Sequence, residues 1–213
     1  MVRAMPSLQT LLLFTAAALA MNISPGPSNL YVMSRSLAQG TPAGLVAAAG
    51  LATGSLFHVT VTSLGLAVIL KYSPLAFTVM KLGGAGYLVF LGLKLLLAKT
   101  APLSPDALPP RKPLSRVFRE SAVVEILNPK TALFFLAFLP QFADPKAGPL
   151  APQLLVLGII VTLTAIPCDA LVAVLSGKAA DLLRRKPLFQ RLQSRISGSI
   201  LIALGATIAL RRD

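Results

Sequence analysis

The sequence predicts an all-α integral membrane protein: six transmembrane helices in a 3+3 inverted repeat, with helices 1 and 4 broken. Three observations lead there. Of 213 residues, 55% are hydrophobic and 13% charged, and mean hydropathy is +0.76, whereas a soluble domain carries roughly 25% charged residues. Six apolar segments are long enough for the roughly 20 residues that a spanning helix needs. Helix breakers, Pro25-Gly26-Pro27 and Asn128-Pro129-Lys130, interrupt the first and fourth segments at matching places in the two half-chains. Paired broken helices of this kind mark the binding site of a transporter.

The first segment covers about Leu8–Ser34. Arg3 followed by Leu11–Ala20 resembles a cleavable leader. However, the apolar stretch continues to Tyr31, so an uncleaved first membrane helix is expected. The second segment, about Thr41–Leu70, has no charged residue and is longer than needed, so it tilts or starts in the interface. The third is about Pro74–Leu97, the fourth Ser121–Phe142, the fifth Leu150–Leu175 and the sixth Leu188–Leu210. Glycines at four-residue spacing, such as Gly50 and Gly54, let membrane helices approach closely, and such surfaces on the second and third segments would permit a homodimer.

Residues 99–114 form a basic, proline-rich linker. It divides the single transmembrane domain, 1–213, into half-repeats of about 5–98 and 115–212. Three helices per half bring the second half into the membrane inverted. Thirteen of the 20 Lys and Arg residues fall on the side of the loops after helices one, three and five, six fall on the other side, and Lys130 stands mid-membrane. The positive-inside rule makes basic loops 99–119 and 178–195 cytoplasmic and puts both termini outside. Net charge is +13. It is distributed in short clusters between apolar runs, which fits membrane topology and not nucleic-acid binding.

Few residues are available for chemistry. Pro25-Gly26-Pro27 frees backbone groups beside Asn22, Ser24, Ser28 and Asn29. Half-helix ends of opposite polarity can hold a zwitterion. A simple kink, patched by Ser and Asn side chains, is the structural alternative. Lys130, beside Asn128 and Pro129, is an intramembrane charge that faces a partner or a watery path. Its alternatives are snorkelling or a structural pair with Glu125 or Asp169. Asp169 and Glu125 are candidate proton carriers, because ionisation is costly away from water. Each is equally readable as a fixed counter-charge or, for Glu125, as a hydrated interface residue. His58 is either a proton relay or a hydrogen-bonded interior residue. No metal site and no cofactor are expected, since Cys168 and His58 are the only residues of their kinds. No hydrolase elbow or phosphate loop occurs, so no enzyme activity is expected.

These motifs resemble a known family. The run Pro25-Gly26-Pro27-Ser28-Asn29-Leu30-Tyr31-Val32, the second-segment pattern around Gly44, Gly50, Gly54 and His58, Lys81-Leu82-Gly83-Gly84 in the third segment, Asn128-Pro129-Lys130-Thr131-Ala132-Leu133-Phe134-Phe135 and Ser197-Gly198 are similar to the LysE/RhtB family of amino-acid exporters. The resemblance spans nearly the whole chain. It implies a bacterial-type inner (cytoplasmic) membrane exporter of amino acids or small derivatives, neutral ones favoured, working by proton antiport. Its partners would be the substrate, protons and the lipid bilayer. It also implies that Pro25, Gly26, Pro27, Asn128, Pro129 and Lys130 frame the path, beside Asn22, Asn29 and His58. One departure stands out: Glu125 occupies the place where the family usually has Asn. A metal-ion exporter of the same superfamily and a channel or lipid-handling protein are the alternatives, and a thiol redox carrier is excluded because Cys168 has no partner cysteine.

Overall fold

A computed structural model of the chain describes residues 6–66 and 109–178, with scattered helical positions between 75 and 97 and between 199 and 206. The expected third and sixth segments, linker residues 99–108 and the connector 179–195 therefore fall largely or wholly outside the described residues. What is described is helical throughout. Helix α1 covers Leu8–Ile23, α2 Pro27–Gln39, α3 Thr41–Val61, α4 Leu114–Ile126, α5 Pro129–Leu133 and α6 Leu150–Lys178. A wide π-type turn extends α3 through Thr62–Leu66, and π-type and 3-10 turns extend α5 to Phe142.

Local sequence sets each boundary. Ser7 caps α1 by accepting the Thr10 amide at 3.2 Å. Proline opens both second half-helices, Pro27 in α2 and Pro129 in α5. At the first helical position its missing amide costs nothing and its fixed φ suits the helix. The α2–α3 turn depends on Gly40, at φ +88°, in the left-handed region that other residues enter at a cost. Its amide closes α2 on the Ser36 carbonyl at 2.8 Å.

Among the described residues, two helices are long and apolar enough to cross a membrane unaided: Thr41–Gly65 and Leu150–Lys178, with mean hydropathy 1.5 and 2.2. The other two crossings are bent pairs, α1 with α2 at 51° and α4 with the Pro129–Phe142 helix at 42°. Both bends fall on the sequence-predicted breaks. The fourth crossing starts earlier than expected, at Leu114 and not Ser121. Pro113 is the last proline of the linker, and nothing after it prevents helix. By contrast α6 runs unbroken through Pro167, because no second breaker accompanies that proline.

The inside and outside of this bundle are reversed relative to a soluble protein. Large apolar side chains face outward, among them Leu12, Leu13, Ile23, Leu56, Phe57 and Leu163. So much exposed apolar surface is stable only against lipid. The interior has three layers. Toward the Ser7 end lies an aromatic cluster of Phe14, Phe134, Phe135 and Phe138 with Leu139, Leu154 and Leu157. Toward the Gln39 end lies a smaller one of Val32, Ala47, Leu51, Val117 and Ala173. Between them the buried residues are polar.

Helix α3 lies at the centre and reaches its neighbours through glycine. A Cβ on Gly50 would stand 2.3 Å from the Phe118 carbonyl oxygen, and one on Gly54 would stand 2.5 Å from that of Ala122. So α3 packs against α4 backbone to backbone. Gly54→Ala and Gly50→Ala should each push the two helices apart and cost about 1–3 kcal/mol. The lipid-facing Leu56→Ala should change stability far less. Thermal unfolding in detergent checks this, and glycine variants that melt with the parent protein would refute the close approach.

Candidate functional site

Backbone accounting at the two breaks builds the site. A proline removes the amide that would have paired with the carbonyl four residues earlier. Pro25 therefore strips Met21 and Pro129 strips Glu125. In lipid each orphaned carbonyl needs another donor. Lys130 supplies the first: its Nζ donates to Met21 O at 3.1 Å and to Ser24 O at 2.6 Å. His58 supplies the second, its Nε2 lying 2.9 Å from Glu125 O, where the carbonyl requires that nitrogen to carry the proton. Asn29 Nδ2 covers another freed carbonyl, Asn22 O, at 3.3 Å. Backbone amides help as well, Ser24 N reaching Met21 O and Asn128 N reaching Glu125 O.

The Lys130 geometry follows from the half-helix field. Its backbone sits in the first turn of α5, and Asn128 Oδ1 caps its amide at 3.0 Å. A cation there opposes the helix dipole. The long side chain carries the charge across to the carbonyl end of α1, where the dipole favours it. Gly26 makes room, since a Cβ there would lie 3.2 Å from both Cε and Nζ of Lys130. Neither structural alternative is seen: Lys130 is buried, so it does not snorkel, and it donates to carbonyls, not to Glu125 or Asp169.

The two acids have their own partners. The Glu125 carboxylate accepts from the Ser28 hydroxyl and from Asn128 Nδ2, the latter at 3.4 Å. Asn128 Nδ2 also donates to Ser28 Oγ at 2.7 Å. Glu125 is 7% exposed, so it belongs to the interior and is not a hydrated interface residue. Asp169 Oδ1 accepts from Asn29 Nδ2 at 3.3 Å. Asn22 Nδ2 reaches across to α6, donating to Val161 O at 3.2 Å and Thr164 Oγ1 at 3.0 Å. Ser55 and Thr162 share a 2.8 Å hydroxyl contact between α3 and α6.

All of the sequence-predicted residues thus gather in one layer: Asn22, Pro25, Gly26, Pro27 and Asn29 from the first break, Asn128, Pro129, Lys130 and Glu125 from the second, His58 from α3 and Asp169 from α6. Sequence reading gave Ser28 and Ser24 only supporting places. Ser28 bridges Glu125 and Asn128, and Ser24 presents a carbonyl to Lys130.

Arg35 was counted among loop charges but is 5% exposed and lies within α2. Its guanidinium stands 5.4 Å from the Tyr31 ring centroid and donates to Pro110 O at 3.1 Å. The i, i+4 spacing of Tyr31 and Arg35 was the available signal. Around it the Gln39 end is tied shut by polar contacts. Gln39 Nε2 donates to Lys112 O at 2.8 Å, and Lys112 N donates to Gln39 Oε1 at 3.0 Å. Glu120 accepts from Tyr31 Oη at 2.9 Å and pairs with Lys112 at 2.7 Å and Arg116 at 2.9 Å.

Polar groups gathered where two broken helices meet inside a lipid-facing bundle define a membrane translocator. Comparison with known proteins agrees. The family model described as LysE type translocator matches residues 19–212, and the chain belongs to that family. It is 32% identical over 211 residues to the uncharacterized membrane protein YrhP of Bacillus subtilis (strain 168), covering 95% of this chain and 100% of the relative. It is 31% identical over 196 residues to the homoserine/homoserine lactone efflux protein of Salmonella typhimurium (strain LT2), covering 90% and 92%. It is 30% identical over 134 residues to the leucine efflux protein of the same strain, covering 63% of each. No solved structure matches the chain. Members of the family are transporters, and this chain is one rather than an enzyme.

The His58 contact has a direct test. His58→Leu should remove the side-chain donor to the Glu125 carbonyl, leaving it the backbone amide of Asn128, and cost about 0.5–1.5 kcal/mol. His58→Gln keeps a donor and should recover part of the loss. Melting curves of the three proteins in detergent decide. A glutamine variant that is stable but inactive in transport would instead indicate proton relay.

Proposed function

We propose that this chain is a secondary active exporter of amino acids or small amino-acid derivatives, working by proton antiport in a bacterial-type cytoplasmic membrane. The observation that carries the reading is the buried layer at the two breaks. It holds one ammonium, Lys130, and two carboxyl groups, Glu125 and Asp169, amid asparagine and serine side chains. The relatives named for leucine and for homoserine and its lactone favour small neutral substrates.

Two carboxyl groups facing one ammonium let the layer take up a proton without gaining net charge. Asp169, held by a single Asn29 bond, is the carrier that exchanges with the outside. Glu125 is the second acid and stays bound to Ser28 and Asn128. Asn22, Asn29, His58, Asn128 and Lys130 line the path that Pro25, Gly26, Pro27 and Pro129 open. The aromatic cluster of Phe14, Phe134 and Phe138 closes the path toward the Ser7 end, and the Glu120 contacts close it toward the Gln39 end. Beyond the aromatics a cleft of about 380 Å³ lies between Ser7, Thr10, Phe142, Asp144 and Lys146, in place as an exit vestibule.

The same reading keeps the 3+3 inverted repeat, with halves of about 5–98 and 115–212 around linker 99–114, both termini outside and basic loops inside. Equivalent prolines opening α2 and α5 support it. A homodimer through small-residue surfaces is compatible with it.

Inside-out vesicles with an acidified interior test the reading. Labelled threonine, homoserine and leucine are offered outside, and at least one should accumulate only while the proton gradient lasts. Asp169→Asn, inserted at normal level, should lose gradient-driven accumulation by about tenfold or more, the scale of a lost proton-transfer group. Accumulation by the variant at the parent rate would remove Asp169 from the coupling. No accumulation by the parent protein would remove amino-acid export.

A further inference from the structure

We propose that the carbonyl pair Met21 O and Ser24 O is the subsite for the ammonium group of the substrate, and that Lys130 is a tethered stand-in that fills it between transport cycles. The inference rests on the reading that the substrate carries an ammonium group, and it assigns that group a place.

The pair has the chemistry of an alkylammonium receptor. Met21 O belongs to the last turn of α1, where the helix dipole is negative, and Ser24 O belongs to the extended residue that caps that turn. Pro25 frees one of them, and the chain break leaves the other without a helical partner. They converge on one point, because a single Nζ reaches both, at 3.1 and 2.6 Å. An ammonium carries three N–H donors, and Lys130 uses two of them here. Ser24 Oγ, on the same residue, is fully buried and has no hydrogen-bond partner among the described residues, the Lys130 ammonium included.

Lys130 is suited to yielding the cradle. It holds no acid, so its departure breaks no ion pair. It approaches past Gly26, whose missing side chain leaves Cε and Nζ 3.2 Å from where a Cβ would be. Glu125 stands close by on α4, one break-turn before Lys130, and Asp169 faces the same layer from α6. Either can receive the Lys130 charge once a substrate ammonium displaces it. Lys130 stays in the layer, so the incoming ammonium adds one positive charge, which the substrate's own carboxylate offsets. A neutral amino acid thus enters without adding net charge to the membrane interior, whereas a substrate lacking an ammonium group would leave Lys130 in place.

Removing the tether tests whether the two carbonyls take a free ammonium, which the stand-in role requires. In Lys130→Ala the cradle is empty, and millimolar ethylammonium chloride should restore it. The expected result is a saturable rise of several degrees in the melting temperature of the variant. The parent protein, its cradle already filled, should show none. Tetramethylammonium chloride, which has no N–H, should move neither protein. If Lys130→Ala does not insert, Lys130→Met serves: it keeps the stem that passes Gly26 and leaves only the Nζ position open, with ammonium chloride as the probe. A variant that gains no more than the parent, or gains equally from tetramethylammonium, overturns the proposal. The measurement uses no transport substrate. Loss of the effect in a working exporter therefore defeats this inference alone, and a chain that exports no amino acid yet shows the effect defeats only the export reading.

Discussion

Carbonyl oxygens orphaned by proline organise this molecule. Water would pair them in a soluble protein, but inside a bilayer the protein must do so itself. The two breaks repair each other. Lys130, from the second break, pairs the Met21 carbonyl of the first. His58, from the first half of the chain, pairs the Glu125 carbonyl of the second. Each donor comes from the opposite half, so the repair also joins the halves at the level where the helices are weakest. An intramembrane lysine that seemed to demand an acid is satisfied by peptide dipoles, and among the described residues neither acid forms an ion pair.

The three interior layers follow from that cost. Polar side chains are concentrated where backbone needs them, and apolar ones seal the layer on both sides. The two seals differ in chemistry. Stacked phenylalanines close one end, with Phe134 and Phe138 centroids 4.7 Å apart. At the other end a small apolar cluster is backed by the two bonds between the Gln39 side-chain amide and the Lys112 backbone and by Glu120 with three donors. Aromatic packing resists water at no polar cost. The polar tie uses several exposed or half-exposed groups, and exposed ion pairs contribute modestly and weaken with salt. The basic end therefore yields at lower cost than the aromatic one. That asymmetry suits a protein filled from one side and emptied to the other.

Much of this was legible in the sequence, for identifiable reasons. Helix breaks were readable because adjacent breakers act locally: Pro25-Gly26-Pro27 and Asn128-Pro129 interrupt their helices, whereas Pro167 alone leaves α6 continuous. Charge inside apolar runs singled out Lys130, Glu125 and Asp169, but the burial of Glu125, which the sequence left open as a hydrated interface residue, is a finding of the structure. The partners were not readable. Nothing local tells Lys130 to choose Met21 O and Ser24 O over Glu125, because the choice depends on a dipole direction and on the opening at Gly26, both set by tertiary placement. The Leu114 start of α4 was missed because basic residues made Lys99–Arg119 look like loop, although Pro113 is its last breaker. Arg35 was assigned to a loop for the same reason, and its burial depends on Pro110 arriving from 75 residues away. The third and sixth segments remain expectations of the sequence.

Glu125 shows how one side chain changes what such a layer can do. The signature that this chain resembles usually has asparagine there, a group that both donates and accepts but never ionises. An amide would still accept from Ser28. A carboxyl group at the same point accepts from Ser28 and Asn128 together and adds a second titratable group to the layer. With asparagine, one acid, Asp169, would face one ammonium, and a proton taken up would leave the layer positive. With Glu125 the layer holds two acids and one base, so it can accept a proton or a second cation and reach neutrality by doing so. The carbonyl of the same residue is held by His58, so the backbone that positions this extra acid is fixed from α3. On that resemblance, a carboxyl group in place of the amide changes the charge the layer can hold rather than its shape.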